Sequence, residues 1–155
     1  MAMTRAMTRI KAIYQTFTNN AAGKYAYDMD YPSLAGSVME WQATIGSKKV
    51  RETPITSIAE YYHQLIMAAG NHVSVLATHA ISLAGYTTDS FIVGVNLERV
   101  LSDDPGGNTS GISTRQGDLL SFRTKNTAAT IDTCWTVLAH DIIIQVGEAG
   151  VEVFD

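Results

Sequence analysis

Residues 134–146 read CWTVLAHDIIIQV, and a turn between Gly147 and Gly150 then leads into VEVF. This is a long, β-branched, almost uncharged segment, a tight turn and a short final strand. A strand that is apolar on both faces must be covered on both faces. The chain therefore either builds a two-layer β core around this segment or buries one face against another copy of itself.

The 155 residues suit one domain with its own core. Charged residues make up 17% and hydrophobic ones 46%, so the chain is globular and poor in charge. A surface with little charge leaves more neutral area for contact between copies. Cys134 is the single cysteine, which excludes an internal disulfide and a cysteine-rich zinc site, and its place in the apolar segment reads as a small buried hydrophobe. No run of apolar residues is long enough to span a bilayer, and the N-terminus lacks the apolar region of a signal peptide. The expectation is a chain made and folded in a cytoplasm, with no membrane partner.

The net charge of −4 is unevenly spread. Residues 1–51 hold seven bases and three acids, a net of +4, whereas residues 52–155 hold four bases and twelve acids, a net of −8. Such a split favours head-to-tail contact between copies, or a basic N-terminal third meeting an acidic partner. The alternative is a solvated surface with uneven charge. The bases are too sparse to neutralise many phosphates, so any nucleic-acid contact is expected to be weak.

Along the chain, AMTR repeats in tandem over residues 2–9, and residues 1–7 read as a mobile N-terminal arm ahead of one domain, 8–155. Residues 8–18 alternate as a first strand, with a short amphipathic helix as the competing reading. Residues 24–30 (KYAYDMD) alternate as a half-buried strand. Residues 38–45 predict a strand with Met39, Trp41, Ala43 and Ile45 on its apolar face, and residues 46–49 a turn. Ser57 and Glu60 have the spacing of a capping box, and the stripe Ile58, Tyr61, Tyr62, Leu65, Ile66 and Ala69 predicts a helix over 57–69, closed by Gly70 and Asn71. Val73, Val75, Ala77, His79, Ile81 and Leu83 share one face of a further strand ended by Gly85. Residues 91–97 predict a strand apolar on both faces, residues 103–111 (DDPGGNTSG) an exposed loop, and residues 119–125 another alternating strand, with a turn at 126–130. Residues 91–97 and 135–146 are expected in the core. The sum is a mainly β chain of about eight strands and one short helix, spaced as in an antiparallel sandwich or barrel.

Chemistry is harder to find. The histidines are His63, His72, His79 and His140, and no His-x-His pair stands on a strand. His72 and His79 fall on opposite faces of a straight strand, as do His140 and Asp141. His79 and His140 read as hydrogen-bonded core or interface residues. There is no GxSxG elbow, no Lys-Ser/Thr after Pro105-Gly106-Gly107 as a phosphate loop requires, and no calcium-loop spacing at Asp103, Asp104 and Asn108. No catalytic residue, cofactor or metal is expected. The residues expected to meet a neighbour or partner are Arg5, Arg9, Lys11, Lys48 and Lys49 in the basic third. Tyr25, Tyr27 and Tyr31 join them, a cluster suited to a protein or carbohydrate surface and equally to strand packing.

The runs TDSFIVGVNLER (88–99) and STRQGDLL (113–120), with the ending HDIIIQVGEAGVEVFD, resemble the C-terminal halves of jelly-roll viral coat proteins over roughly residues 73–155. The resemblance implies a jelly-roll sandwich closed by a long strand and a terminal hairpin. It implies a structural subunit that meets its copies along the sides, without catalysis, in a virion assembled in a host cytoplasm or nucleus, with other virion components as further partners. RNA-packaging coats of that kind usually carry a strongly basic arm, where this chain has Arg5, Arg9 and Lys11. A β-sandwich that binds carbohydrate or protein through tyrosine-rich loops is the second reading, and a small enzyme with its site between subunits the third.

Overall fold

The strand Ile10–Thr18 organises the molecule, with a neighbour on each side. In the computed structural model, which describes residues 2–3, 7–18, 29, 31–69, 81–88, 90–98, 111–114, 117–128, 131, 133–147 and 150–154, the elements run β1 (Ala2–Met3), β2 (Ile10–Thr18), β3 (Glu40–Ile45), β4 (Lys48–Lys49), α1 (Ile58–Ala68), α2 (Leu83–Tyr86), β5 (Val93–Asn96), β6 (Leu120–Lys125), β7 (Thr133–His140), β8 (Ile143–Gly147) and β9 (Gly150–Phe154). One antiparallel sheet has the order β5-β2-β7, a second the order β1-β6-β3-β4, and β8 and β9 form a separate hairpin. The chain is thus mainly β, with seven of its described strands in two antiparallel sheets.

The two sheets face each other through their apolar sides. From β3 and β6 come Trp41, Ala43, Ile45, Leu120 and Phe122; from β2 and β5 come Ile13, Phe17, Val93 and Val95, all buried. The period of two in each strand puts these residues on one face. One polar bridge crosses the layers: the Trp41 indole N–H donates to Gln15 Oε1, and Gln15 Nε2 donates to Thr136 Oγ1 on β7. Gln15 is 2% exposed, so its amide satisfies an indole that would otherwise be buried without a partner.

A bulge at Lys11 corrects the simple alternation read for β2. Ile10 pairs with His140 and Ala12 with Ala139, so Lys11 is the extra residue. One inserted residue flips the face of what precedes it. Ile10 and Ile13, an odd number apart, are therefore both buried.

At one end of the sandwich an aromatic cluster surrounds Phe91, whose ring centroid lies 4.8 Å from Tyr31, 5.4 Å from Tyr61, 5.2 Å from Tyr86 and 6.5 Å from Phe17. The tyrosine hydroxyls find backbone partners: Tyr61 donates to the Met39 and Ile55 carbonyls, Tyr86 to Ile92, Tyr62 to Ile81, and Tyr31 accepts from the Met39 N–H. Helix α1 sends Tyr61 into this cluster and lays Leu65 across Gly94 of β5. A Cβ at Gly94 would stand 2.8 Å from Leu65 Cδ1 and 3.0 Å from Leu65 Cα, so only glycine allows this approach. Tyr14, beside Gly94 on β2, donates its hydroxyl to the Ala68 carbonyl. The helix thus covers the outer side of the β5-β2-β7 sheet near β5.

Several expectations need correction. Ser57 precedes α1 but makes no side-chain cap, and Glu60 turns instead to Arg51 Nη2 at 2.6 Å. Leu83 does not lie on a strand: Ser82 caps a one-turn helix by accepting from the Gly85 N–H. Residues 1–7 are not free throughout, since Ala2 and Met3 pair with Ser121 and Leu120, and Met7 is buried with its N–H donating to Thr114 Oγ1. Lys48 and Lys49 form a short strand rather than a turn. The strand expected at 24–30 lies outside the described residues except for Met29, which bridges Ser90. The helix stop at Gly70 and Asn71, residues 73–79 of the expected strand and most of the loop at 103–111 also lie outside them.

Candidate functional site

The long apolar segment that dominates the sequence is divided in the structure. Strand β7 ends at His140, where the Asp141 N–H donates to the Arg9 carbonyl and the Asp141 carboxylate meets Lys11 Nζ at 3.1 Å. Glu98 joins Lys11 at 3.5 Å. The hydrogen bond that the Lys11 ammonium donates to Asp141 raises its pKa above the ordinary value, although desolvation works against it. The bulge therefore has a purpose beyond register, because it aims the extra side chain at two carboxylates.

The inner face of β7 contributes Cys134, Thr136 and Leu138, half-buried against the core. Desolvation pushes the Cys134 thiol up, away from the thiolate form. The outer face is bare. Trp135 is 58% exposed and Val137 62%. Both stand beside β2 residues, Thr16 and Tyr14, but the helix that covers the β5 side of this sheet does not extend over them. The expectation that residues 135–146 are core is corrected by this face and by Ile142, Ile144 and Val146, all exposed. The physical reason lies in how the described elements are spent: one opposing sheet covers one face, and α1 packs on β5 and Tyr14. Among the described residues β7 also pairs on one side alone, with β2, and so presents a free edge. That edge carries no Lys, Arg, Asp, Glu or Pro from Thr133 to His140, whereas exposed edges are usually protected by charge or proline.

Among the described residues the hairpin of β8 and β9 joins neither sheet. Its register sets Ile144 opposite Val153 and Val146 opposite Val151. Trp135, Val137, Ile142, Ile144 and Val146 are each more than half exposed. Isolated apolar residues on a surface are ordinary, but neighbouring exposed ones on one strand face, Trp135 with Val137 and Ile144 with Val146, mark candidate contacts.

A second surface lies at the β3–β4 turn. Ile45, Val50 and Ile112 line a groove of about 310 Å³ with Ser47, Lys48, Lys49, Ser113 and Asp118. Both lysines are exposed, and among the described residues neither has an ion-pair partner. The Asp118 carboxylate packs so closely on Gly46 that a Cβ there would lie 2.5 Å from Oδ1. A cleft of about 100 Å³ beside Trp41, flanked by the Glu40–Lys125 ion pair at 3.0 Å, is too small for a substrate-sized molecule.

The expected contact residues are thus distributed. Lys48 and Lys49 stand together at the groove. Lys11 is engaged by its own chain, Arg9 is half-buried at a positive φ of 50° ahead of β2, and Tyr31 belongs to the aromatic core. Arg5, Tyr25 and Tyr27 lie outside the described residues. Among the described residues no three His, Cys, Asp or Glu side chains gather as metal ligands would, and no helix is long and apolar enough to cross a membrane. No family model, curated protein or solved structure matches the chain.

Proposed function

We infer that this protein is a structural subunit that assembles with copies of itself, its chemistry being surface burial rather than turnover. The observation that carries this reading is the set of exposed apolar residues Trp135, Val137, Ile142, Ile144 and Val146, together with the edge of β7, which among the described residues is unpaired and uncharged. At roughly 25 cal/mol per Å² of apolar surface removed from water, a face with a tryptophan and several β-branched residues supplies the drive for a stable contact. Symmetric repetition of one such contact closes a ring or shell. Within this reading the fold is a jelly roll of the coat-protein type and the setting a virion. Support for that comes from the phrases in residues 88–99, 113–120 and 140–155, and from the pairing of an early strand, β2, with a late one, β7.

The test is the mass of purified protein by light scattering with negative-stain imaging. A large, uniform particle is the expected result, and Trp135→Lys with Val137→Lys is expected to reduce it to small species that keep the β circular dichroism spectrum. A wild-type protein that stays at 16.8 kDa at high concentration overturns the reading.

A further inference from the structure

Strand β7 has one edge that is unpaired among the described residues. Thr133, Trp135, Val137 and Ala139 alternate on its outer face, and Cys134, Thr136 and Leu138 on its inner one. Its pairing with β2 runs without a shift from Thr133 to Ala139, so that stretch is a regular template for a further strand. No other described edge equals the eight residues of β7: β8 and β9 have five each, β5 four, β1 and β4 two. Charge narrows the partner further. The β4 edge is Lys48-Lys49 and β9 carries Glu152, and a charge laid along an apolar edge loses water without gaining a partner. A second β7 has the same length and the same lack of charge.

We propose that β7 of one copy pairs antiparallel with β7 of a second, edge to edge, about a twofold axis through Thr136, so that two three-stranded sheets become one continuous sheet. This rests on the assembly reading above and names one of its contacts. The register follows from the faces. A twofold that joins two antiparallel edges in one sheet stands perpendicular to it, so inner face continues into inner face. Residues opposite each other in an antiparallel pair share a face, so the axis passes through a residue rather than between two. With the axis at Thr136, Trp135 of each copy stands opposite Val137 of the other, Cys134 opposite Leu138, and Thr133 opposite Ala139. The exposed side chains of β7 then cover each other twice, an aromatic ring with a β-branched residue, which is a favourable cross-strand pair. An axis at Trp135 or at Val137 leaves that match unmade. The seam from Thr133 to Ala139 is roughly 24 Å long, and a sheet layer roughly 10 Å deep makes it a strip of about 240 Å² per copy, under the roughly 800 Å² of a standard interface. The contact is therefore concentration-dependent. It also closes on itself, so the pair is a building block, and a larger particle adds a contact of another kind.

The experiment is disulfide trapping in the full chain, in a Cys134→Ser background that removes the native thiol. Opposed residues of an antiparallel pair have Cα atoms about 4.5–5.5 Å apart, a span that a disulfide bridges. Positions 133 and 139 oppose each other, and each lies roughly 20 Å from its own counterpart across the axis. Thr133→Cys alone and Ala139→Cys alone are therefore expected to stay uncoupled under mild oxidation, whereas an equal mixture of the two gives a covalent dimer on a non-reducing gel. Circular dichroism and thermal unfolding of each variant show that the fold persists. If the mixture stays uncoupled while light scattering of the same samples shows association, this contact is wrong and assembly itself stands. Coupling by Thr133→Cys alone means a parallel or shifted pairing and overturns the register. A wild-type chain that remains a monomer at high concentration removes both the contact and the assembly reading.

Discussion

The tyrosines at the end of the sandwich are where single residues tie stability to pH. Burial pushes the hydroxyls of Tyr61 and Tyr86 well above their ordinary pKa, with neighbouring tyrosines adding to the effect, and Tyr14 and Tyr31 move the same way through desolvation. In the unfolded chain these groups ionise near pH 10. Below that pH both states hold the proton and stability does not change on their account. Above it the unfolded chain releases protons that the fold retains, so stability is present at lower pH and lost as pH rises. Lys11, raised by Asp141, acts in the same alkaline direction. The unfolding free energy from urea titrations is therefore expected to be level up to about pH 9.5 and then to fall, by about 1.4 kcal/mol per pH unit for each tyrosine the fold keeps protonated. Tyr86→Phe loses its hydrogen bond to the Ile92 carbonyl at neutral pH and removes one share of the alkaline slope. Urea midpoints that remain level through pH 11 and beyond mean that these hydroxyls reach water readily.

The elements separate two kinds of sequence signal. Strands β3 and β6 were legible because the alternation of Met39, Trp41, Ala43 and Ile45 and of Leu120 and Phe122 maps directly onto one buried face, and β5 was legible as a short apolar run, of which Phe91, Val93, Val95 and Leu97 are buried. Helix α1 was legible from the Tyr61 and Leu65 stripe. The capping box was not a reliable sign, because Ser57 and Glu60 fit the spacing while Arg51 offers Glu60 a stronger, charge-assisted partner. Ile81 and Leu83 mimicked a strand, and the local signal that mattered was Ser82, which caps α2. The continuous apolar run hid a break at Asp141, since the Lys11 that holds it lies far away in sequence. As for the candidate site, Lys48 and Lys49 were visible from charge, whereas the exposure of Trp135 and Val137 was not. A pattern apolar on two faces demands two covers, but it does not say whether the second belongs to the same chain. The caps give a measurable contrast. Ser57→Ala is expected to shift stability by less than about 0.5 kcal/mol, because no cap is lost. Ser82→Ala is expected to cost about 0.5–1 kcal/mol through the orphaned Gly85 N–H, with chemical denaturation as the measure. Equal effects at the two serines contradict the assignment of which one caps.

At the scale of the whole molecule, two tryptophans divide the labour of reporting on the core and on the contact. Trp41 is 1% exposed between the sheets and Trp135 is 58% exposed on the outer face of β7. Indole emission moves to shorter wavelength when water is excluded, so the two rings respond to different events. Folding alone fixes Trp41, whereas Trp135 changes only when something covers β7. If copies of the chain provide that cover, emission from the folded protein shifts to shorter wavelength as concentration rises, and the melting temperature rises with it, because association stabilises the folded state by mass action. Trp135→Phe keeps an aromatic ring at the contact and is expected to abolish the emission shift while preserving the dependence of melting temperature on concentration. The remaining signal, from Trp41, then reports unfolding alone. Emission that is unchanged from dilute to concentrated solution in the wild-type chain leaves β7 facing water, and a sandwich with that face uncovered has no assembly through it.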